Sequence, residues 1–155
     1  AAAFQNRQIA GAVTGDLRVA PPSQPKLLIK LIDFGIPYSM NTLAVSRDYL
    51  RHAPETVERI VRAYAEGVAF MNQQKERSLK AIMKYAHMTD VKEAEEHYRD
   101  SVTYLERVTR ADPEAVQTIL EFIGKKGMPP ETFMDNTIVD KLGREGFFER
   151  LYKKP

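Results

Sequence analysis

The stretch Ala53-Pro54-Glu55-Thr56-Val57-Glu58-Arg59-Ile60-Val61-Arg62-Ala63-Tyr64-Ala65-Glu66-Gly67-Val68 marks a change of period along the chain. Proline suits the first turn of a helix, and acids beside it suit the positive end of the helix dipole. Apolar residues follow at Val57, Ile60, Val61, Tyr64, Val68 and Met71, the spacing of one buried stripe. Helical periodicity continues to the end. Leu79, Ile82, Met83 and Ala86 form a second stripe that stops at His87-Met88. Thr89-Asp90 precedes Val91 as a capped start, and Asp112-Pro113-Glu114 repeats the cap, proline and acid before Val116, Ile119, Leu120 and Ile123. Gly127 lies near the end of that helix, and Met128-Pro129-Pro130 breaks the chain. Ile138, Val139, Leu142, Phe148 and Leu151 then mark a last helix, interrupted around Gly143 or Gly146. No fixed-period repeat appears.

Before residue 50 the pattern differs. Pro21, Pro22, Pro25, Pro37, Gly11, Gly15 and Gly35 divide short apolar runs at Ile9 to Val13, Leu27 to Ile32 and Thr42 to Val45. Each run is strand length and bounded by turn formers, which predicts two or three strands. The expected fold class is therefore α/β: two or three short strands followed by about five helices.

At 155 residues the chain has the size of one domain, and 43% hydrophobic with 28% charged residues is the composition of a globular protein. Twenty-three basic against 21 acidic residues leave a net charge of +2. That balance provides no basic footprint for nucleic acid. No apolar run approaches the roughly 18 residues that cross a bilayer. With no cysteine, disulfides, thiolate metal sites and a cysteine nucleophile are excluded. Residues 1–6 carry no basic region or long apolar run of a signal peptide, which fits either a cytosolic protein or a mature or truncated piece of a secreted one.

Few residues combine into chemistry. His87 and His97 flank Asp90 and Glu93 across a helix break, so the spacing of a helical metal pair is missing and surface positions are expected, as for His52. Glu93, Glu95 and Glu96 read as the wet side of a helix, and Lys125-Lys126 and Lys153-Lys154 as cations near helix ends. Ser39 and Ser46 lack a neighbouring base, and no phosphate loop, nucleophile elbow or dinucleotide fingerprint occurs. The segment Gly35-Ile36-Pro37-Tyr38-Ser39-Met40-Asn41-Thr42 stands apart. An aromatic ring, a hydroxyl and an amide beside proline suit a small-molecule cleft; an ordinary loop with Tyr38 packed on the core is the plain alternative.

The same residues carry a resemblance. Gly35-Ile36-Pro37-Tyr38, Leu43-Ala44-Val45-Ser46-Arg47-Asp48-Tyr49-Leu50, Ala53-Pro54-Glu55-Thr56-Val57 and Val61-Arg62-Ala63-Tyr64-Ala65-Glu66-Gly67 follow one another in order. Ser78-Leu79-Lys80, Lys84-Tyr85, Ala115-Val116-Gln117-Thr118-Ile119-Leu120, Phe133-Met134-Asp135-Asn136, Val139-Asp140-Lys141-Leu142 and Gly146-Phe147-Phe148-Glu149-Arg150-Leu151-Tyr152 continue the series, and Gln8 to Val13 precedes it. Together they resemble ABC-transporter substrate-binding proteins of the nitrate-, sulfonate- and thiamine-precursor-binding group. No single motif is diagnostic; order and spacing carry the likeness.

The resemblance implies the helix-rich C-terminal portion of a two-lobed, periplasmic-binding-protein-like (type II) fold, in a family roughly twice this length. Residues 1–35 would end the second lobe and cross over, and 36–155 would form the C-terminal part of the first. It implies a receptor without catalysis or cofactor that binds a small organic molecule or anion, such as a sulfonate, nitrate or pyrimidine. Tyr38, Ser39 and Asn41 would face the cleft from one lobe and Thr14 from the other; Thr14-Gly15-Asp16 departs from the family pattern, which weakens any carry-over of ligand chemistry there. Delivery would be to an ABC permease, with Glu55 and Glu58 as contacts or as a solvated face. The implied location is periplasmic or extracellular, including lipid anchoring. A truncated chain of this kind would leave sheet edges and helix faces uncovered and self-associate into a homo-oligomer. The competing readings are an enzyme of thiamine-precursor synthesis on the same scaffold, which would need a histidine or cysteine near the cleft, and a helical interaction module without small ligand.

Overall fold

A computed structural model describes residues 6, 8–11, 26, 28–29, 31–39 and 42–153. The chain divides into two units, Ala1–Pro37 and Tyr38–Pro155. In the first, Leu31–Phe34 forms a single 3-10 turn, followed by Gly35 at φ 59°. That backbone region suits glycine because it has no Cβ.

The second unit is helical. Its α-helices are α1 (Arg47–His52), α2 (Pro54–Gln73), α3 (Lys75–Tyr85), α4 (Val91–Tyr104), α5 (Pro113–Phe122), α6 (Thr137–Arg144) and α7 (Phe147–Tyr152), with a 3-10 turn at Pro130–Thr132. The starts follow local chemistry. Ser46 Oγ accepts the Tyr49 N–H, Asp90 Oδ1 accepts those of Lys92 and Glu93, and Asp112 Oδ1 accepts that of Glu114. Each cap satisfies a backbone donor that the first turn leaves unpaired. Pro54 and Pro113 occupy the first helical positions, as their sequence setting predicts. Between α6 and α7 the chain turns at Gly146, whose φ of 66° ends one helix and starts the next.

The expected α/β class is corrected: no strand occurs among the described residues. Two-lobed architecture with short strands is therefore not supported. Ile9 to Gly11 has no regular structure, and the rest of that predicted strand lies outside the described residues. The predicted strand at Leu27 to Ile32 gives way to the 3-10 turn starting at Leu31, and Thr42 to Val45 runs without regular structure into the Ser46 cap. Apolar runs this short fit several backbone states; a strand also needs a neighbour to pair with.

Helix α2 organises the second unit. Val57, Val61 and Ala65 pack with Val139 and Leu142 of α6 and with Phe147 and Phe148 of α7, while Leu50, Ile138 and Leu151 border the cluster. The two phenylalanine rings meet edge-to-face at 5.5 Å. Farther along α2, Val68 and Ala69 are buried, and α3 and α4 pack on this end and on each other. The Tyr98 hydroxyl of α4 donates to the Met71 carbonyl at 2.9 Å. The predicted stripe is rotated in part: Ile60 and Tyr64 are 39% and 44% exposed, and Ala65 and Ala69 take the inner positions. Small residues there bring neighbouring helices close, which a tyrosine would prevent.

Leu142 is fully buried, and cutting it to alanine removes atoms at the point where three helices meet. Leu142→Ala should lower stability by about 2–5 kcal/mol, read as an earlier urea midpoint with the far-UV spectrum retained in water. Asp90→Ala should cost about 0.5–2 kcal/mol by uncapping α4. A melting temperature unchanged in either variant would contradict the packing or the cap.

Candidate functional site

The expected ligand-binding set is only partly described. Tyr38 is 56% exposed, so its ring does not pack on the core, and Ser39 is half-buried. Neither hydroxyl hydrogen-bonds another described residue. Thr14 and Asn41 lie outside the described residues. Downstream of Tyr38 and Ser39, Thr42 to Val45 leads to the Ser46 cap, and the Arg47 guanidinium of α1 donates to the Thr132 carbonyl. The segment after Ser39 is thus anchored at its helical end to the 3-10 turn at Pro130–Thr132.

Among the described residues, the most connected group of polar side chains joins α2 to α6. Glu58 Oε1 accepts from Arg62 Nε at 3.0 Å and Nη2 at 2.8 Å, and Glu58 Oε2 accepts from Lys141 Nζ at 2.7 Å. Arg62 Nη2 also donates to Glu145 Oε2 at 2.8 Å, and its guanidinium lies 4.8 Å over the Phe147 ring. With its side chain 19% exposed and both oxygens engaged, Glu58 faces α6 and is not a free surface acid. Glu58 is thus an interhelical bridge rather than part of a fully solvated face, whereas Glu55 is exposed. Hydrogen bonds from Lys141 and then Arg62 hold the Glu58 carboxyl below the usual glutamate range, against a smaller opposing effect of burial. The same bond to Glu58 raises the Lys141 ammonium above its ordinary value.

A second set ties the loop between α4 and α5 to the start of α6. Asn136 Nδ2 donates to the Ala111 carbonyl at 2.9 Å, and Asn136 Oδ1 accepts the Ala111 N–H at 2.9 Å. Arg110 pairs with Asp140 alongside. Arg107 stacks 4.8 Å over the Tyr152 ring. Burial pushes the Tyr152 phenol up, with the Arg107 charge opposing, and its hydroxyl and that of Thr109 are enclosed without a hydrogen-bond partner among the described residues.

Both sets do structural chemistry: they fix helix positions and hold charge at neutral pH. The i, i+4 halves, Glu58 with Arg62 and Lys141 with Glu145, are legible in sequence. Their joining across 83 residues is not. His52 Nδ1 meets the Asp48 carbonyl oxygen at 2.7 Å, and Lys75 pairs with Glu95 at 3.3 Å. Among the described residues no three histidine, aspartate or glutamate side chains converge as a metal site.

The Glu58 bridge has a defined pH dependence. The unfolded chain takes up the Glu58 proton first, so the contribution is complete above the ordinary glutamate range and is lost as pH falls through the lower folded value. Lys141 acts oppositely: its contribution is complete below its ordinary value and is lost as pH rises through the raised one. Glu58→Gln should therefore flatten the acid limb of a plot of urea midpoint against pH, and the alkaline limb with it, because Lys141 loses the bond that raises it. An acid limb of unchanged slope would remove Glu58 from this role.

Comparison of the chain with protein-family models, curated proteins and solved structures found no match.

Proposed function

We propose that the chain forms part of the solute-binding component of an ABC importer, taking up a small organic molecule or anion such as a sulfonate, nitrate or pyrimidine. It would hand that solute to a permease outside the cytoplasm, with no bond made or broken. The supporting observation is that most of the ordered segments after residue 42 that carry the family resemblance fall on helical elements. Leu43 to Leu50 spans the Ser46 cap and the start of α1, and Ala53 to Val57 opens α2. Ser78 to Tyr85 lies in α3, Ala115 to Leu120 in α5, Val139 to Leu142 in α6, and Gly146 to Tyr152 covers α7.

Within this reading Tyr38, Ser39 and Asn41 contact the solute. An exposed phenol ring stacks on a planar ligand or donates to an anion; the serine hydroxyl and the asparagine amide donate or accept. A second reading, a helical interaction module without a small ligand, draws on the all-helical second unit and its exposed apolar side chains.

Titration calorimetry and thermal shift on the chain, with alkylsulfonates, nitrate, carboxylates, amines and pyrimidines, separate the two. One class should bind saturably and be recovered unaltered. At a hundredfold excess over Kd it should add about 2.7 kcal/mol of stability. Tyr38→Ala and Asn41→Ala should each weaken that binding more than twofold and leave the unliganded melting temperature unchanged. Absence of saturable binding across all classes would favour the interaction module, and chemical turnover of a bound compound would favour an enzyme.

A further inference from the structure

The outward side of α2 is a surface that neither the core nor the proposed solute site uses. Val57, Val61, Ala65, Val68 and Ala69 are buried. Ile60, Ala63, Tyr64 and Gly67 recur at three- and four-residue steps on another side of the same helix, and all four are exposed. Single exposed apolar residues are common, but residues at this spacing on one helix form a continuous stripe. A Cβ at Gly67 would meet no neighbouring group within 4 Å, so no other element covers the stripe there. Glycine in a helix interior is costly, and the folded chain gains no contact in return. Phe70 continues the stripe, but Arg77 of α3 lies 4.9 Å from its ring, so the open stretch runs from Ile60 to Gly67.

Arg59 and Glu66 edge this stripe. One heptad separates them, which places both on the same flank of the helix, and both are exposed. Arg59 donates to Thr56 Oγ1 at 3.1 Å, and Glu66 has no hydrogen bond or ion pair among the described residues. Arg62, one turn before Glu66, is already held by Glu58 and Glu145. Glu55 lies a turn earlier than Arg59, before the stripe begins. Along the stripe itself the two charges cancel, so it selects no surface of a single sign, whether anionic lipid or nucleic acid. What they fit is the same flank of a helix running the opposite way.

We propose that this side of α2 docks onto the same side of α2 in a second copy of the chain, the two helices antiparallel about a twofold axis. In such a pair, residues on one flank meet the same flank of the other helix at equal distances from the axis. An axis level with residues 62–63 sets Arg59 against Glu66 of the second copy, and Glu66 against its Arg59. The same register places Ile60 over Ala63 of the second copy and Gly67 beside its Thr56, a larger residue against a smaller one at each step. Glu55 then faces the Phe70–Arg77 end of the other helix rather than a like charge. A parallel pair would bring Arg59 opposite Tyr64 and leave both charges unmatched. One helix face is a small contact, and interfaces below about 1,200 Å² are weak, so the dimer is reversible and concentration-dependent.

Sedimentation velocity of the 155-residue chain, from about 10 µM to about 1 mM, tests this. A monomer–dimer equilibrium should appear within that range and weaken as salt is added. Arg59→Glu or Glu66→Arg alone puts like charges together at both ends of the contact and should raise Kd about tenfold. Arg59→Glu combined with Glu66→Arg preserves the pairing and should return Kd to within about threefold of the parent. Gly67→Glu should raise Kd about tenfold or more, because the contact would desolvate a carboxylate. The melting temperature of that variant in dilute solution should hold or rise, since glutamate is the better helix former and meets nothing there. A monomer at every concentration overturns the proposal and leaves the stripe to a partner of another kind. Single charge reversals without effect, a combined swap that recovers nothing, or a dimer indifferent to Gly67→Glu overturn it equally.

Discussion

Burial of one face of α2 against α6 and α7 is the contact on which the rest of the second unit depends. Val57, Val61 and Ala65 meet Val139, Leu142, Phe147 and Phe148, residues about eighty positions apart in the chain. Closing such a distance costs conformational entropy, and only a contact that removes much apolar surface from water offsets it. The ion pairs and backbone clasps of the same interface fix its register. Arg62 shows the division of labour: its guanidinium grips Glu58 and Glu145 while its flat face covers Phe147. Charge on that side chain therefore shields the core from water without being buried itself.

Helices were more legible than their arrangement. Pro54, Asp90, Asp112 and Pro113 announce helix starts through local chemistry, and the chain obeys them because a cap acts within one turn. Glycine near position 146 likewise marks a break that the left-handed backbone confirms. The inward face of α2 was legible only in part. Ile60 and Tyr64 score as core by hydrophobicity, yet Ala65 and Ala69 sit inside because close helix approach selects small side chains, a property of the neighbour. Strands failed for a related reason. The runs near Ile9, Leu28 and Val45 are apolar and short, but a strand is defined by its partner, and the sequence of one run contains no information about pairing.

Of the proposed solute site, the sequence shows residue types and no geometry. Tyr38 and Ser39 can be placed by exposure alone, and Tyr38 is solvated where a loop packed on the core would have hidden it. The reassignment of Glu58 from surface acid to interhelical bridge has the same origin. Its i+4 neighbour Arg62 is visible in sequence, whereas Lys141 is brought to it by the fold.

The α3–α4 pair has a consequence for how the protein breathes. Residues 75–104 leave the end of α2 and return to the loop before α5, packing on α2 and on each other rather than on α6 or α7. Their ties to α2 include the bond from Tyr98 to Met71. At the point of departure, Gln73 Nε2 holds the Leu151 carbonyl of α7 at 2.6 Å, and on the return side Asn136 clasps Ala111. Both exits of the excursion are thus riveted to the core while its body is not. Such a helical hairpin can open and reclose as one cooperative piece, its amides exchanging with solvent together and ahead of those in α2, α6 and α7.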